Sequence, residues 1–282
     1  MRDFVYHRPA SLEEARRLAA EDGALLLAGG QTLLRDMKRG RHSPASLIDV
    51  TGIVSKQIEL RDGAIWIGAG ATHAEVASSA VLQQHLHVLA ALVGHIGDPA
   101  VRNRGTMGGA LAANEPAGDY PAACLALGAT VHTTGRNIAA ADFFVDNGRT
   151  MLEPGEIITG ATFPISSRAA YVKFLNPAAR YAMVGVFAAS AADGGPRIAV
   201  TGAGTHGAFR WQEAELALTA GFVAENLRGI RPLPETLVED LFADAAYRGH
   251  LAEVLARRAV ALAGGPAPGV TVLTHGSREI DR

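Results

Sequence analysis

Cysteine is nearly absent: Cys124 stands alone in 282 residues. No disulfide can close within the chain, and the chain alone cannot hold a cysteine-ligated iron–sulfur cluster. The neighbours of that cysteine, Ala122-Ala123-Cys124-Leu125-Ala126-Leu127, are apolar, which predicts a buried, inert thiol. A surplus of charge is absent too: charged residues make up 19% and the formal net charge is −2. A nucleic-acid partner needs clustered basic charge, so none is expected. The one basic cluster, Arg35, Lys38, Arg39 and Arg41, reads either as a solvated helix end or as a face toward a phosphate or a partner. No apolar run approaches the ~20 residues of a membrane span, and Met1-Arg2-Asp3-Phe4-Val5-Tyr6 opens no signal-peptide core. No integral membrane segment is expected, and the chain reads as cytoplasmic. There is no G-x-S-x-G elbow and no G-x-x-x-x-G-K-[ST] loop.

Glycine is plentiful, with 32 residues, and two glycine-rich stretches stand out. The first is Ala28-Gly29-Gly30-Gln31-Thr32, followed by Leu33. The second is Arg102-Asn103-Arg104-Gly105-Thr106-Met107-Gly108-Gly109-Ala110, running on to Asn114 and Asp119. A residue without Cβ lets another group approach the main chain, and successive loop amides form a concave anion site. Two such loops can grip the two phosphates of a dinucleotide from opposite sides.

Along the chain, Ser11-Leu12-Glu13-Glu14 and Thr72-His73-Ala74-Glu75 are capping boxes that open helices. Ala24-Leu25-Leu26-Leu27-Ala28 reads as a buried parallel strand leading into the first loop, and a helix is expected from about Thr32 to Gly40. Asp62-Gly63 between two alternating runs predicts a hairpin. Residues 81–94 read as one helix ending on glycine, and Asp119-Tyr120-Pro121 as a helix start with Asp119 as cap. Three strands follow at 171–175, 182–191 and 197–201, with a turn at Asp193-Gly194-Gly195, then helices at 212–220, 235–247 and 250–262. The tail beyond Gly264 shows no periodicity and is expected to be mobile or to lie on a partner.

The two loops, in this order, resemble those of the medium, FAD-binding subunits of molybdenum hydroxylases, the carbon monoxide dehydrogenase and xanthine dehydrogenase group. The resemblance continues through Asp119-Tyr120-Pro121-Ala122, Tyr171-Val172-Lys173-Phe174, Arg180-Tyr181-Ala182-Met183-Val184-Gly185-Val186 and Ala245-Ala246-Tyr247-Arg248-Gly249-His250-Leu251. It implies an α+β fold, in which a two-subdomain FAD-binding domain is followed by a smaller domain with a three-stranded antiparallel sheet and helices. The corresponding boundaries are 1–167, with subdomains 1–52 and 53–167, then 168–264 and a tail of 265–282. It implies FAD as cofactor, with Ala28, Gly29, Gly30, Gln31, Thr32, Leu33, Thr106, Met107, Gly108, Gly109, Ala110 and Asn114 around it. It also implies Asp119 at the nucleotide end, Ile158 beside the cofactor, Lys173 near the isoalloxazine and Tyr181 close to the flavin face. A cation suits a reduced flavin anion and a flat ring suits a tricyclic ligand; a strand-edge lysine and a core tyrosine are the plainer alternatives. Met107, Asn114-Glu115 and Ala179-Arg180 depart from the residues usual in the family, which bears on the details of flavin contact.

By the same resemblance the work is electron transfer. Partner chains would be a large molybdopterin-binding subunit and a small two-cluster iron–sulfur subunit, as a dimer of heterotrimers, and electrons would leave for an external acceptor. The lone cysteine agrees with this division. Other readings are a self-contained FAD-dependent oxidoreductase and a non-enzymatic chain that has lost its cofactor. A further one is a nicotinamide-dinucleotide site at Gly202-Ala203-Gly204-Thr205-His206-Gly207, which fits G-x-G-x-x-G, with Glu225 downstream. His85, His87 and His95 lie close in sequence, but residues two apart on a helix face apart, so no shared metal is expected.

Overall fold

The structure, a computed structural model, describes residues 2–191, 194–265 and 269–274. It opens with a small α/β unit: β1 (Val5–His7), α1 (Leu12–Ala19), β2 (Ala24–Leu27), α2 (Leu33–Lys38) and β3 (Ser46–Asp49). The strands are parallel in the order β1-β3-β2. Ser11 accepts the Glu14 amide as expected, while the Glu14 carboxylate reaches the Ala10 amide, one residue before the cap. Ala15, Leu18, Ile48, Val50 and Val54 fill the small core.

A larger unit follows. The hairpin of β4 (Ile58–Arg61) and β5 (Ala64–Gly68) turns on Asp62 and Gly63, both at positive φ. Thr72 and Glu75 form the complete capping box at the start of α3 (His73–Ala77). The single helix expected over 81–94 is in fact two, α4 (Ala80–His85) and α5 (His87–Gly94), broken at Leu86 (φ −150, ψ 55). Leu82, Leu86 and Leu89 are all buried, on either side of the break and at it. Next come α6 (Pro99–Arg102), α7 (Met107–Ala113) and α8 (Asp119–Leu127), every residue of α8 being buried. After β6 (Thr130–Thr133), β7 (Asn137–Ala139), α9 (Ala140–Phe143), β8 (Phe144–Asp146) and β9 (Arg149–Thr150), strand β10 (Ile158–Pro164) completes the sheet β4-β5-β10-β6-β7.

The last unit is a five-stranded sheet. The three expected strands are β11 (Ala169–Leu175), β12 (Ala182–Ser190) and β13 (Pro196–Thr201), antiparallel throughout. Two short strands widen it: β14 (Phe209–Arg210) on β13, and β15 (Val270–Leu273), parallel to β11. The latter comes from the tail, whose four residues dock by main-chain pairing, a mode that needs no periodicity. The rest of the tail expectation, at 266–268 and 275–282, lies outside the described residues, as does Asp193 of the expected turn.

Alternation along the strands sends Tyr171, Phe187, Ala189 and Ala199 to the core shared with α5 and α8. Val172, Val184, Val186, Ile198 and Val200 face α10 (Gln212–Leu218) and α11 (Ala245–Gly264) on the other side. The helices expected at 235–247 and 250–262 are corrected. The Asp240 carboxylate takes the Phe242 and Ala243 amides and the Arg248 guanidinium, local bonds that compete with a helix. Asp244 then caps the Tyr247 amide and one 20-residue helix runs through Gly249.

Candidate functional site

The first loop leaves β2 at Leu27 and turns at Gly30, φ +73, into α2. Thr32 already has helical backbone angles and makes no side-chain cap. Among the described residues, the amides of Gly29, Gly30, Gln31, Thr32 and Leu33 have no protein acceptor. Five consecutive donors are thus left at the start of a helix, where the backbone dipole favours an anion. A buried or half-buried amide without a partner carries a desolvation cost, which a bound oxyanion removes. The Gln31 side chain folds back on the Gly29 carbonyl at 3.3 Å.

The second loop is built differently. Asp98 caps α6 through the Val101 amide, and Arg102 donates to the Ile96 and Gly97 carbonyls. Met107 and Gly108 donate to the Ala71 and Ala69 carbonyls, both at 2.9 Å. Thr106 Oγ1 accepts the Gly109 amide at 3.1 Å, and the Ala110 amide bonds to the Thr106 carbonyl. The Gly105 carbonyl accepts from the His73 amide. Four successive amides that sequence reasoning assigned to the cofactor are therefore satisfied by protein. The Met107 side chain is fully buried in the core, so it supports the loop from beneath. The loop leaves Asn103 and Arg104 exposed and Gly109 and Ala110 half-exposed.

The two loops abut. A Cβ on Gly29 would collide with the Arg104 carbonyl and Gly105 Cα, so this glycine permits the first loop to lie against the second. Across the same seam, a Cβ on Gly109 would stand 3.9 Å from that of Ala28. A Cβ on Gly108 would fall 2.6 Å from Ala69 Cβ, and one on Gly105 would fall 2.6 Å from His73 Nε2. His73 thus fills the space behind Gly105. Burial, with the Arg102 charge adding to it, pushes its pKa down to about 4, so the ring is neutral near pH 7.

Ile158 begins β10 and is buried next to Thr159, whose carbonyl holds the Ala69 amide behind the second loop. Asn114 is at the far end of α7 in a left-handed conformation, and its Nδ2 donates to the Asp146 and Arg149 carbonyls. Its Nδ2 thereby ties α7 to the 146–149 turn, while its buried Oδ1 has no protein partner among the described residues.

Asp119 does not cap α8; Gly118 holds that position and Asp119 is the first helical residue. Its carboxylate instead accepts from Lys173 Nζ at 2.9 and 3.1 Å and from the Tyr171 hydroxyl at 2.5 Å. All three are buried, Lys173 at 0% exposure. Burial, with Asp119 alongside, holds the Tyr171 hydroxyl well above its ordinary pKa. Two residues assigned to opposite ends of an extended cofactor are thus paired with one another. They join α8 to β11, and Thr201 at the end of β13 donates to the Pro116 and Gly118 carbonyls just before α8.

Tyr181, in the turn between β11 and β12, is 39% exposed. Its hydroxyl accepts from Arg35 Nη1 at 3.2 Å, while Arg35 Nη2 donates to Glu115 Oε1 at 2.6 Å. Of the basic cluster, Arg35 turns to this junction, Arg41 reaches Asp36, and Lys38 and Arg39 are exposed. Sequence reasoning named Arg35, Glu115 and Tyr181 separately but missed that they meet, and it missed the roles of His73 and Tyr171.

The Gly202–Gly207 motif is a turn between β13 and β14, which are antiparallel, with Gly202 and Gly207 at positive φ. The Gly202 amide bonds to the Pro116 carbonyl and the Thr205 amide to the Thr236 carbonyl. A strand–turn–strand hairpin lacks the parallel crossover of a dinucleotide fold, so the nicotinamide reading is overturned. Among the described residues no His/Cys/Asp/Glu group could hold a metal ion, and no helix is long and apolar enough to cross a membrane.

Comparison with known proteins identifies the family and the fold. Residues 2–166 match the family described as the FAD binding domain in molybdopterin dehydrogenase. The nicotine 6-hydroxylase medium subunit of Paenarthrobacter nicotinovorans is 32% identical over 276 residues, covering 92% of this chain and 96% of its own. The carbon monoxide dehydrogenase medium chain of Hydrogenophaga pseudoflava is 31% identical over 274 residues, covering 91% and 96%. Among solved structures, reconstituted CO dehydrogenase from Oligotropha carboxidovorans superposes with a TM-score of 0.85 at 29% identity, covering 93% of this chain and 98% of that one.

Proposed function

We propose a function from one premise: the chain belongs to the family of FAD-binding domains of molybdopterin dehydrogenases. It is the flavoprotein component of an oxidoreductase, and its relatives are medium subunits of multi-subunit enzymes. On our reading it carries electrons from iron–sulfur clusters in a small partner subunit to an external acceptor. A large molybdopterin-binding subunit oxidises the primary substrate, the whole forming a dimer of heterotrimers in the cytoplasm. FAD, when bound, supplies the redox chemistry; the chain supplies position and electrostatics.

The observation that carries this reading is the run of amides from Gly29 to Leu33 that have no protein acceptor among the described residues, pressed against a second loop whose amides at 107–110 are bonded within the protein. We assign the diphosphate to the first run and the role of rigid wall to residues 105–110. Tyr181 faces the flavin from the β11–β12 turn, with Ile158 beneath the wall. We divide the chain into an FAD-binding domain at 1–167, with subdomains 1–52 and 53–167, and a C-terminal α+β domain at 168–264. Asp119 and Lys173 hold the two domains together at the site's edge.

An absorbance spectrum of the chain, purified with and without co-expressed large and small subunits, tests this. Flavin bands in at least the complex, released on denaturation as FAD, are expected. A chain that stays colourless in both preparations, even after incubation with excess FAD, would overturn the proposal.

A further inference from the structure

The Arg35 guanidinium is engaged on three sides. Nε donates to Asp36 Oδ1 at 3.3 Å, Nη2 to Glu115 Oε1 at 2.6 Å and Nη1 to the Tyr181 hydroxyl at 3.2 Å. These partners come from three places: α2, which follows the first loop; the segment just past α7, which follows the second; and the β11–β12 turn. Burial alone would lower the pKa of Arg35, but the bonds to Tyr181 and Glu115 outweigh it and raise it further. The guanidinium is thus a fixed fork, since its planar donors are preorganised once two carboxylates hold them.

Tyr181 has the opposite character. It is 39% exposed, on a turn, and the Arg35 bond is the one side-chain hydrogen bond recorded for its hydroxyl among the described residues. Because the phenol oxygen accepts from Arg35, its own proton is directed elsewhere and remains available to an acceptor in the site.

We propose that Arg35 is a positioning residue: it fixes the Tyr181 ring at the open side of the flavin site, and Glu115 fixes Arg35. The inference rests on the assignment of Tyr181 to the flavin face made above. It adds that the ring's placement is dictated by the first loop's helix and not by the turn that bears it. Closure of the aromatic over the cofactor is thereby coupled to the geometry of both glycine loops.

The test uses the full-length chain reconstituted with FAD and read by the emission of bound flavin, which a stacked tyrosine quenches. Tyr181→Leu should raise the emission of bound FAD. Arg35→Leu and Tyr181→Phe should each raise it and weaken FAD retention by about threefold, the scale of a partly exposed charged contact. The double variant Arg35→Leu/Tyr181→Phe should be no worse than either single one, as for residues acting through one bond. Arg35→Lys keeps the charge but not the fork and should be intermediate. Glu115→Gln should shift emission in the same direction by less. Unchanged emission in Arg35→Leu beside a changed Tyr181→Leu would overturn the positioning role while leaving the flavin assignment intact. Additive effects in the double variant would overturn it too. Unchanged emission in Tyr181→Leu would overturn the flavin-face assignment itself, and failure of the parent chain to bind FAD both alone and in complex with the co-expressed subunits would overturn the function.

Discussion

The two glycine loops look alike in sequence and differ in what their backbones do. In the first, five successive amides have no protein partner among the described residues, and the helix they introduce is short and lacks a side-chain cap. In the second, the four amides at the helix start are all bonded, and Thr106 caps in the regular way. Glycine serves different ends accordingly. Gly29 lets one loop rest on the other, whereas Gly108 and Gly105 make room for Ala69 and His73 from behind. The lesson is that a glycine-rich motif announces close approach without saying whether a ligand or the protein itself approaches. The first loop is organised to receive; the second is organised to stay put.

This contrast can be broken by experiment. The largest effect is expected from Gly29→Ala. A methyl group there pushes the loops apart and misaligns several charge-assisted bonds, each worth ~1.5–3 kcal/mol, so FAD affinity should fall by about 100-fold or more. Titration of the full chain with FAD measures this; an unchanged affinity would show that the first loop is not the receiving one. A smaller effect concerns acid. His73 has its pKa lowered from 6.5 to about 4 by burial, so the unfolded state binds a proton more readily than the folded state does. Stability should therefore be full above about pH 6.5 and decline as pH falls toward 4, by up to ~3 kcal/mol from this group. His73→Gln should flatten that slope in pH-dependent denaturation, and a slope unchanged by the substitution would remove His73 as its source. Smaller again is Gly108→Ala, which overpacks the rear of the second loop and should cost ~1–3 kcal/mol of stability. Its mark should be a lower Tm in the absence of FAD. If Gly108→Ala instead weakened FAD binding at unchanged Tm, the two loops would share one role.

Much of this arrangement was legible in the sequence because it is local. The Asp62-Gly63 hairpin, the Thr72–Glu75 capping box, the strand entering the first loop and the three long strands all follow from neighbours within a few residues. What was not legible depends on distant partners. Asp119 looked like a helix cap because nothing nearby reveals Lys173, 54 residues away in the chain. The tie that Asn114 makes to the 146–149 turn was hidden because its acceptors are more than 30 residues on. The Gly202–Gly207 run fits a phosphate-binding pattern, and the antiparallel pairing of β14 decides against it. Which loop has unpaired amides also depends on Ala69 and Ala71, far from either motif in sequence.

Helix α8 belongs by sequence to the region that matches the FAD-binding family, residues 2–166, yet one side of its setting is supplied by strands that come later. All nine of its residues are buried, and among the described residues the cation paired with its Asp119 carboxylate is Lys173, beyond that region. The cofactor-binding portion is therefore not a transplantable module. Severed near residue 167, it would expose an apolar helix and strand a carboxylate whose lost partner is worth ~3–5 kcal/mol. Chimeras that exchange flavin domains between related enzymes would need to carry the C-terminal sheet along, because inheritance here acts on the pair.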